Sequence, residues 1–417
     1  VQTFKVGPDY LDPTHLAAAS GRPCHNLDGW MCGRDHSTRL FARACADADV
    51  AIVEGVMGLF DGAAASGLEG CTAEMALWLD APVLLVASAR GMARSYAALM
   101  HGFTSFEPAV RIAGAIANFC GGEAHAQALR ASLDSMPLVG WLSSGMLPEL
   151  ASRHLGLVSA SEQPLEAGRW VDVVERQLDV DAILALAQQA APLPAPPGVV
   201  EAVPRVVRIG VARDAAFQFY YADHLAALER AGAELVPFSP LADNALPPGL
   251  AGLYFGGGYP EIHAAALAEN TPLRSAVRRF AASGRPVYAE CGGLMYLSSS
   301  ITTRDGACHP MAGVLPAATR MLARRKALGY VEAEIVADGP LGRRGSTLRG
   351  HEYHYSELAA DGIWTPAYRT RRRRDGALAP EGFLRGNVFA SYVHTHFGAY
   401  PAAAQQFVTT CQEEHHD

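Results

Sequence analysis

The sequence predicts an α/β protein with two parallel-sheet domains, and three observations carry that prediction. Half of the 417 residues are hydrophobic, enough for a large core and more than one ordinary domain needs. Short apolar runs alternate with longer amphipathic ones in both halves of the chain. That order of strand and helix builds a parallel sheet with helices on both faces. Between the halves, Pro192-Leu193-Pro194-Ala195-Pro196-Pro197-Gly198 reads as an extended, semi-rigid connection. The expected division is 1–191, a proline-rich linker over 192–205, and 206–417.

In the first half, apolar runs at 1–6, 50–53, 82–87, 111–117 and 137–142 predict buried strands. Helix-like stretches lie between them at 35–46, 72–79, 94–104 and 123–134. The run at 1–6 starts at Val1 with no lead-in. A domain seldom opens on a core strand, so a preceding strand and helix are expected. In the second half, strands are predicted at 206–212, 235–238, 252–255, 286–289 and 388–393. Helices are predicted at 223–231, 264–267 and 273–282.

Composition excludes several functions. The net charge is −8, against the basic surface that nucleic acid binding requires. The run Arg371–Arg374 reads as a solvated loop. No apolar run is long enough to span a bilayer, and no membrane partner is expected. The eight cysteines form no CxxC pair, which argues against a zinc ribbon or a disulfide framework. A reducing cytoplasm is the expected location.

The sharpest local signal is Gly284 to Met295, in which an apolar strand runs into Glu290-Cys291-Gly292-Gly293 and then a helix-like stretch. This is the pattern of a nucleophile elbow, where a tight turn lifts a nucleophile out of the sheet. A buried structural cysteine beside a turn gives the same local pattern. A second glycine turn, Gly256-Gly257-Gly258-Tyr259-Pro260-Glu261, also follows an apolar strand and offers N–H groups to an oxyanion. Gly257, Gly258 and Gly292 are therefore the candidate oxyanion pocket. A cysteine nucleophile needs a base. His394, in the strand-end sequence His394-Thr395-His396-Phe397, is the candidate.

Phe255–Glu261, Ala289–Leu294 and Tyr392–Phe397 together resemble the class I glutamine amidotransferase domain, in the variant found in cobyrinic acid and cobyric acid synthases. The resemblance implies that Cys291 attacks glutamine and that His394 activates it. Most class I glutaminases carry a Glu two residues after this His. His396 stands there instead, as in the cobalamin branch, which leaves the third member of a triad undefined.

The first half holds Lys5-Val6-Gly7-Pro8-Asp9-Tyr10-Leu11-Asp12-Pro13 after one strand and Glu54-Gly55-Val56-Met57-Gly58-Leu59-Phe60-Asp61-Gly62 after another. A lysine at a strand's C-terminal end suits a phosphate, and a carboxylate in the same place suits a metal. These segments resemble the synthetase domain of the cobyrinic and hydrogenobyrinic acid a,c-diamide synthases, akin to dethiobiotin synthetase. Arg153–Leu157, Asp214–Phe217, Phe219–Tyr221 and Arg349–Ser356 extend the resemblance over nearly the whole chain.

The resemblance implies ATP-dependent phosphorylation of a corrin carboxylate, with Mg²⁺, and attack by ammonia from glutamine. Lys5 and Asn118 would serve ATP, and Glu54 would hold Mg²⁺. Asp9, Tyr10, Leu11, Asp12 and Asp61 would line the meeting point of the corrin acetate and the γ-phosphate. A homodimer is the expected assembly. The family opens with a GxxxxGK[ST] phosphate loop. These residues contain none, and its expected place is just before Val1. Glutamine hydrolysis without ATP-dependent amidation is accordingly the activity expected of these residues alone. A diamide synthase acting on nickel-sirohydrochlorin, and a binding protein that retains the fold without the chemistry, remain the alternatives.

Overall fold

The apolar run at the start of the chain forms the strand Gln2–Val6, buried along its length. It pairs in parallel with His25–Leu27 on one side and Ala51–Glu54 on the other, placing Lys5 opposite Glu54. The computed structural model describes residues 1–64, 66–134, 136–153, 156–192, 203–360 and 362–413. His154, Leu155 and most of the proline-rich segment lie outside the described residues.

The chain divides into two units: Val1–Gly29 with Ser37–Pro197, and Trp30–His36 with Gly198–Asp417. In the first unit the sequence predicts one parallel sheet. The described residues form two, each of three parallel strands: His25–Leu27, Gln2–Val6 and Ala51–Glu54, then Val83–Ser88, Ile112–Asn118 and Leu138–Leu142. Ile52 is 51% exposed and Val86 58% exposed. Ala51–Glu54 and Val83–Ser88 are thus not covered on both faces, as the interior strands of one parallel sheet would be.

The helices Thr72–Leu79, Arg94–Phe106 and Glu123–Ser132 lie where the periodicity places them. Glu74 N–H donates to the sulfur of Cys71 at the N-cap of the first of these. The helix Gly29–Ala44 starts earlier than its pattern predicts and breaks at Gly33, whose φ of 72° lies in the left-handed region that glycine tolerates.

The second unit is built on a six-stranded sheet. Its parallel strands, from the edge inward, are Ala233–Phe238, Val207–Ala212, Gly252–Phe255, Val287–Glu290 and Val388–Ser391. Phe383–Arg385 closes the other edge antiparallel. The helices Ala222–Arg230, Ala264–Glu269 and Thr271–Ala282 appear as predicted. Two further sheets between residues 300 and 395, one mixed and one antiparallel, are not anticipated by the sequence reading. One of them aligns Thr347–His354 with His394–Thr395, placing His351 opposite His394. Arg371–Arg374 is exposed, as expected, but Arg371 and Arg372 lie on the strand Tyr368–Arg372 and not in a loop. Among the described residues no helix is long and apolar enough to cross a membrane.

Candidate active sites

Cys291 stands between the buried strand Val287–Glu290 and the short helix Gly292–Leu297. Its φ of 47° and ψ of −100° are costly for a residue with a Cβ and hold it in the strained turn of a nucleophile elbow. Cys291 N–H donates to Ser391 O at 2.7 Å, tying the turn to the neighbouring strand.

The two glycine turns touch. A Cβ on Gly292 would lie 2.9 Å from Gly258 N, and one on Gly258 would lie 2.0 Å from Ala216 O. A Cβ on Gly257 would lie 2.6 Å from His394 Cε1. Gly257 thus packs against the His394 imidazole, and Gly258 and Gly292 pack against neighbouring backbone, with no room for side chains at any of the three. Gly257→Ala is expected to displace His394 and reduce glutamine hydrolysis at least about 100-fold, the scale on which misplaced catalytic groups lose rate. Steady-state hydrolysis with a thermal melt as control checks this. Normal kcat with an alanine at this position would contradict the packing.

His394 is 2% exposed and hydrogen-bonds the Cys291 thiol. Its Nδ1 lies 3.7 Å from Glu290 Oε2. Burial alone would lower the imidazole's pKa. Cys291 and Glu290 outweigh it and raise His394 to about 10. The ring of His351 stacks on that of His394 with centroids 4.9 Å apart, and His351 Nε2 meets Tyr221 Oη at 2.7 Å.

Glu290 is the residue that sequence reasoning missed. It is 1% exposed and sits directly before the cysteine. Tyr254 Oη donates to Oε2 at 3.1 Å, Thr395 N–H to Oε1 at 3.0 Å and Thr395 Oγ1 to Oε1 at 3.2 Å, and Tyr288 Oη also donates to Oε1. Burial pushes its carboxyl up. The neighbouring His394, the charge of His224 and the Tyr288 hydrogen bond outweigh burial and hold it at about 2. A carboxylate ending a buried strand was the available signal, because a buried charge requires partners. His396, two residues beyond His394, is fully buried, and burial lowers it to about 3. A neutral imidazole there cannot stabilise a cationic His394 as the Glu of other class I enzymes does.

In the first unit, the expected synthetase residues partly converge. Lys5 Nζ lies 2.7 Å from Asp12 Oδ2, 3.4 Å from Glu54 Oε1 and 3.8 Å from Asp9 Oδ2. Asp9 Oδ1 accepts the N–H groups of Leu11 and Asp12. Burial, and then the charge of Asp12, raise the Asp9 carboxyl to about 6. Tyr10 and Leu11 lie within this turn. Asp61 instead accepts Gly58 N–H at 3.1 Å, and Asn118 Oδ1 accepts Phe119 N–H at the end of a strand in the other sheet. The structure brings neither to Lys5.

Residues 208–402 match the CobB/CobQ-like glutamine amidotransferase domain. The cobyrinate a,c-diamide synthase of Syntrophotalea carbinolica is 55% identical over 427 residues, covering 99% of this chain and 92% of that protein. The chain belongs to the cobyrinate a,c-diamide synthase family. The family's member from Leptospira interrogans serovar copenhageni is 42% identical over 99% of this chain and 91% of its own length. A hydrogenobyrinate a,c-diamide synthase from Streptomyces coelicolor is 40% identical over 99% of this chain and 91% of its own length.

Proposed function

We propose that this chain converts the a and c acetate carboxylates of cobyrinate or hydrogenobyrinate into carboxamides, using glutamine and ATP, in cobalamin biosynthesis. The observation that carries the reading is the Cys291–His394–Glu290 array, on a strand–turn–helix elbow, within a chain 55% identical to a cobyrinate a,c-diamide synthase.

The chemistry of glutamine release follows from that array. The Cys291 sulfur attacks the carboxamide carbon, and the carbonyl oxygen becomes an oxyanion facing the backbone of Gly257, Gly258 and Gly292. His394, held as the imidazolium between Cys291 and Glu290, gives its proton to the leaving nitrogen, and ammonia departs. Water then attacks the thioester, His394 takes its proton, and glutamate leaves with the sulfur restored.

In the first unit, the carboxylates fit a hard cation, which takes oxygen ligands. Lys5 pairs most closely with Asp12. The Glu54 side chain is 44% exposed and is the carboxylate placed to hold Mg²⁺ together with phosphate oxygens. Bound there, Mg²⁺ would screen the phosphate charge that repels an incoming acetate. Lys5 supplies a fixed positive charge beside it. The corrin acetate takes the γ-phosphoryl group of ATP, and ammonia then displaces phosphate to form the amide. The eight free thiols suit a reducing compartment, the cytoplasm.

The test is conversion of cobyrinate and hydrogenobyrinate with ATP, Mg²⁺ and glutamine, read by mass spectrometry, with nickel-sirohydrochlorin as the competing substrate. Diamide formed from a corrin supports the reading. Amidation of nickel-sirohydrochlorin alone would transfer the function to that tetrapyrrole. The base is tested separately. His394→Ala should lower glutamine hydrolysis by about two to four orders of magnitude, and His396→Ala far less. Equal, small losses at both positions would point to another base.

A further inference from the structure

The segment Trp30–His36 belongs to the second unit. Trp30 is 1% exposed, stacks on Tyr330 with centroids 4.7 Å apart and lies under the Arg349 guanidinium. Arg349 Nη1 also donates to Trp30 O at 2.9 Å. The backbone break at Gly33 follows directly. The segment is therefore fixed in place before it reaches its polar residues.

Those residues form a donor cluster outside the glutaminase chemistry. Cys32 Sγ, one ring nitrogen of His36 and one of His396 all lie within 4.8 Å of one another. His396 is fully buried, and its Nε2 has no hydrogen-bond partner among the described residues. Asp223, 2% exposed, places Oδ2 3.0 Å from His36 Nε2 and receives Arg230 Nη2 on Oδ1 at 3.2 Å. Its carboxylate is buried beside one of the histidines.

We propose that Cys32, His36 and His396 bind one divalent cation of the zinc class, with Asp223 as the outer carboxylate on His36 and water in the fourth position. A thiolate with two imidazoles selects a borderline cation over Mg²⁺, which prefers oxygen. Three protein ligands and a water make a tetrahedral site with one open position. A carboxylate beside a metal-bound histidine fixes the ring and raises its basicity. Cys32 and His36 are half-buried, so a cation can enter from their side. Rotation of these two side chains closes the remaining gap to Zn–S of about 2.3 Å and Zn–N of about 2.0–2.1 Å.

The test uses the full chain, stripped with a chelator and equilibrated with Zn²⁺, with bound metal measured after dialysis. One equivalent is expected. Cys32→Ser and His36→Ala should each lose it, and Asp223→Asn should weaken it about 10–100-fold. Cys308→Ser, at an exposed cysteine, and Cys291→Ala should keep it. A parallel measurement needs no variant: Zn²⁺ should protect Cys32 from alkylation in the parent chain, as read by peptide mapping. No stoichiometric zinc, an equivalent that survives both Cys32→Ser and His36→Ala, loss with Cys291→Ala, or equal alkylation of Cys32 with and without zinc would each overturn the site.

Discussion

Replacing Cys291 by alanine should abolish glutamine use while leaving amidation from free ammonia intact. Removing a hydrolase nucleophile costs on the order of 10⁶ in turnover, because no other group can form the covalent intermediate. The substitution is small and local. Cys291 is 6% exposed and N-caps a short helix through its backbone, which alanine retains. The φ of 47° is no easier for alanine, so the turn keeps its strain without gaining a clash. The carboxylates around Lys5 belong to the other unit and lose nothing. The measurement is diamide formation in a chain competent for ATP-dependent amidation, with glutamine or ammonium chloride as nitrogen source. Turnover from glutamine at the parent rate would remove Cys291 from the mechanism. Loss of both activities would show that the substitution acts on the whole protein and not on the glutaminase step.

The parts of this site readable in the sequence are those made by neighbours in the chain. A strand, a cysteine and two glycines follow one another in the elbow, and Gly256–Gly258 likewise follows its own strand. What depends on distant segments was not readable. Glu290 acquires its role only when His394 and Thr395 arrive from another strand, and their place is fixed by pairing with Thr347–His354. That antiparallel region was missed because its alternation is interrupted by buried polar residues, His351 and His354 among them. In the first half, apolar content was taken as burial on both faces, whereas Ile52 and Val86 are exposed, and the expected strands form two sheets. The assignment of Trp30–His36 to the second unit turns on the Trp30–Tyr330 stack, which no local pattern announces.

Glu290→Gln should lower glutamine hydrolysis by roughly 10⁴, the loss seen when the carboxylate that orients a catalytic histidine is made neutral. The amide keeps the shape: its oxygen in the Oε1 position still accepts from Thr395 N–H, and its NH2 in the Oε2 position can donate to Tyr254 Oη, so the strand end should remain packed. What disappears is the charge that favours imidazolium at His394. The basic limb of kcat/KM should therefore move to lower pH, because His394 is held at about 10 partly by Glu290. A residue that only supported the strand would lower stability and leave that limb unmoved. The stability consequences have a definite sign. Glu290 is depressed from 4.5 to about 2, so its contribution is complete above pH 4.5 and is lost as pH falls toward 2. His394 is raised from 6.5 to about 10, so its contribution is complete below pH 6.5 and is lost as pH rises toward 10. Between those limits the parent holds both. Thermal melts across pH should show Glu290→Gln losing most of its excess over the parent's instability on the acid side, where the parent's own carboxylate is being protonated. A difference in stability between parent and variant that stays constant from pH 7 down to pH 2 would mean that Glu290 is not the ionised partner of His394.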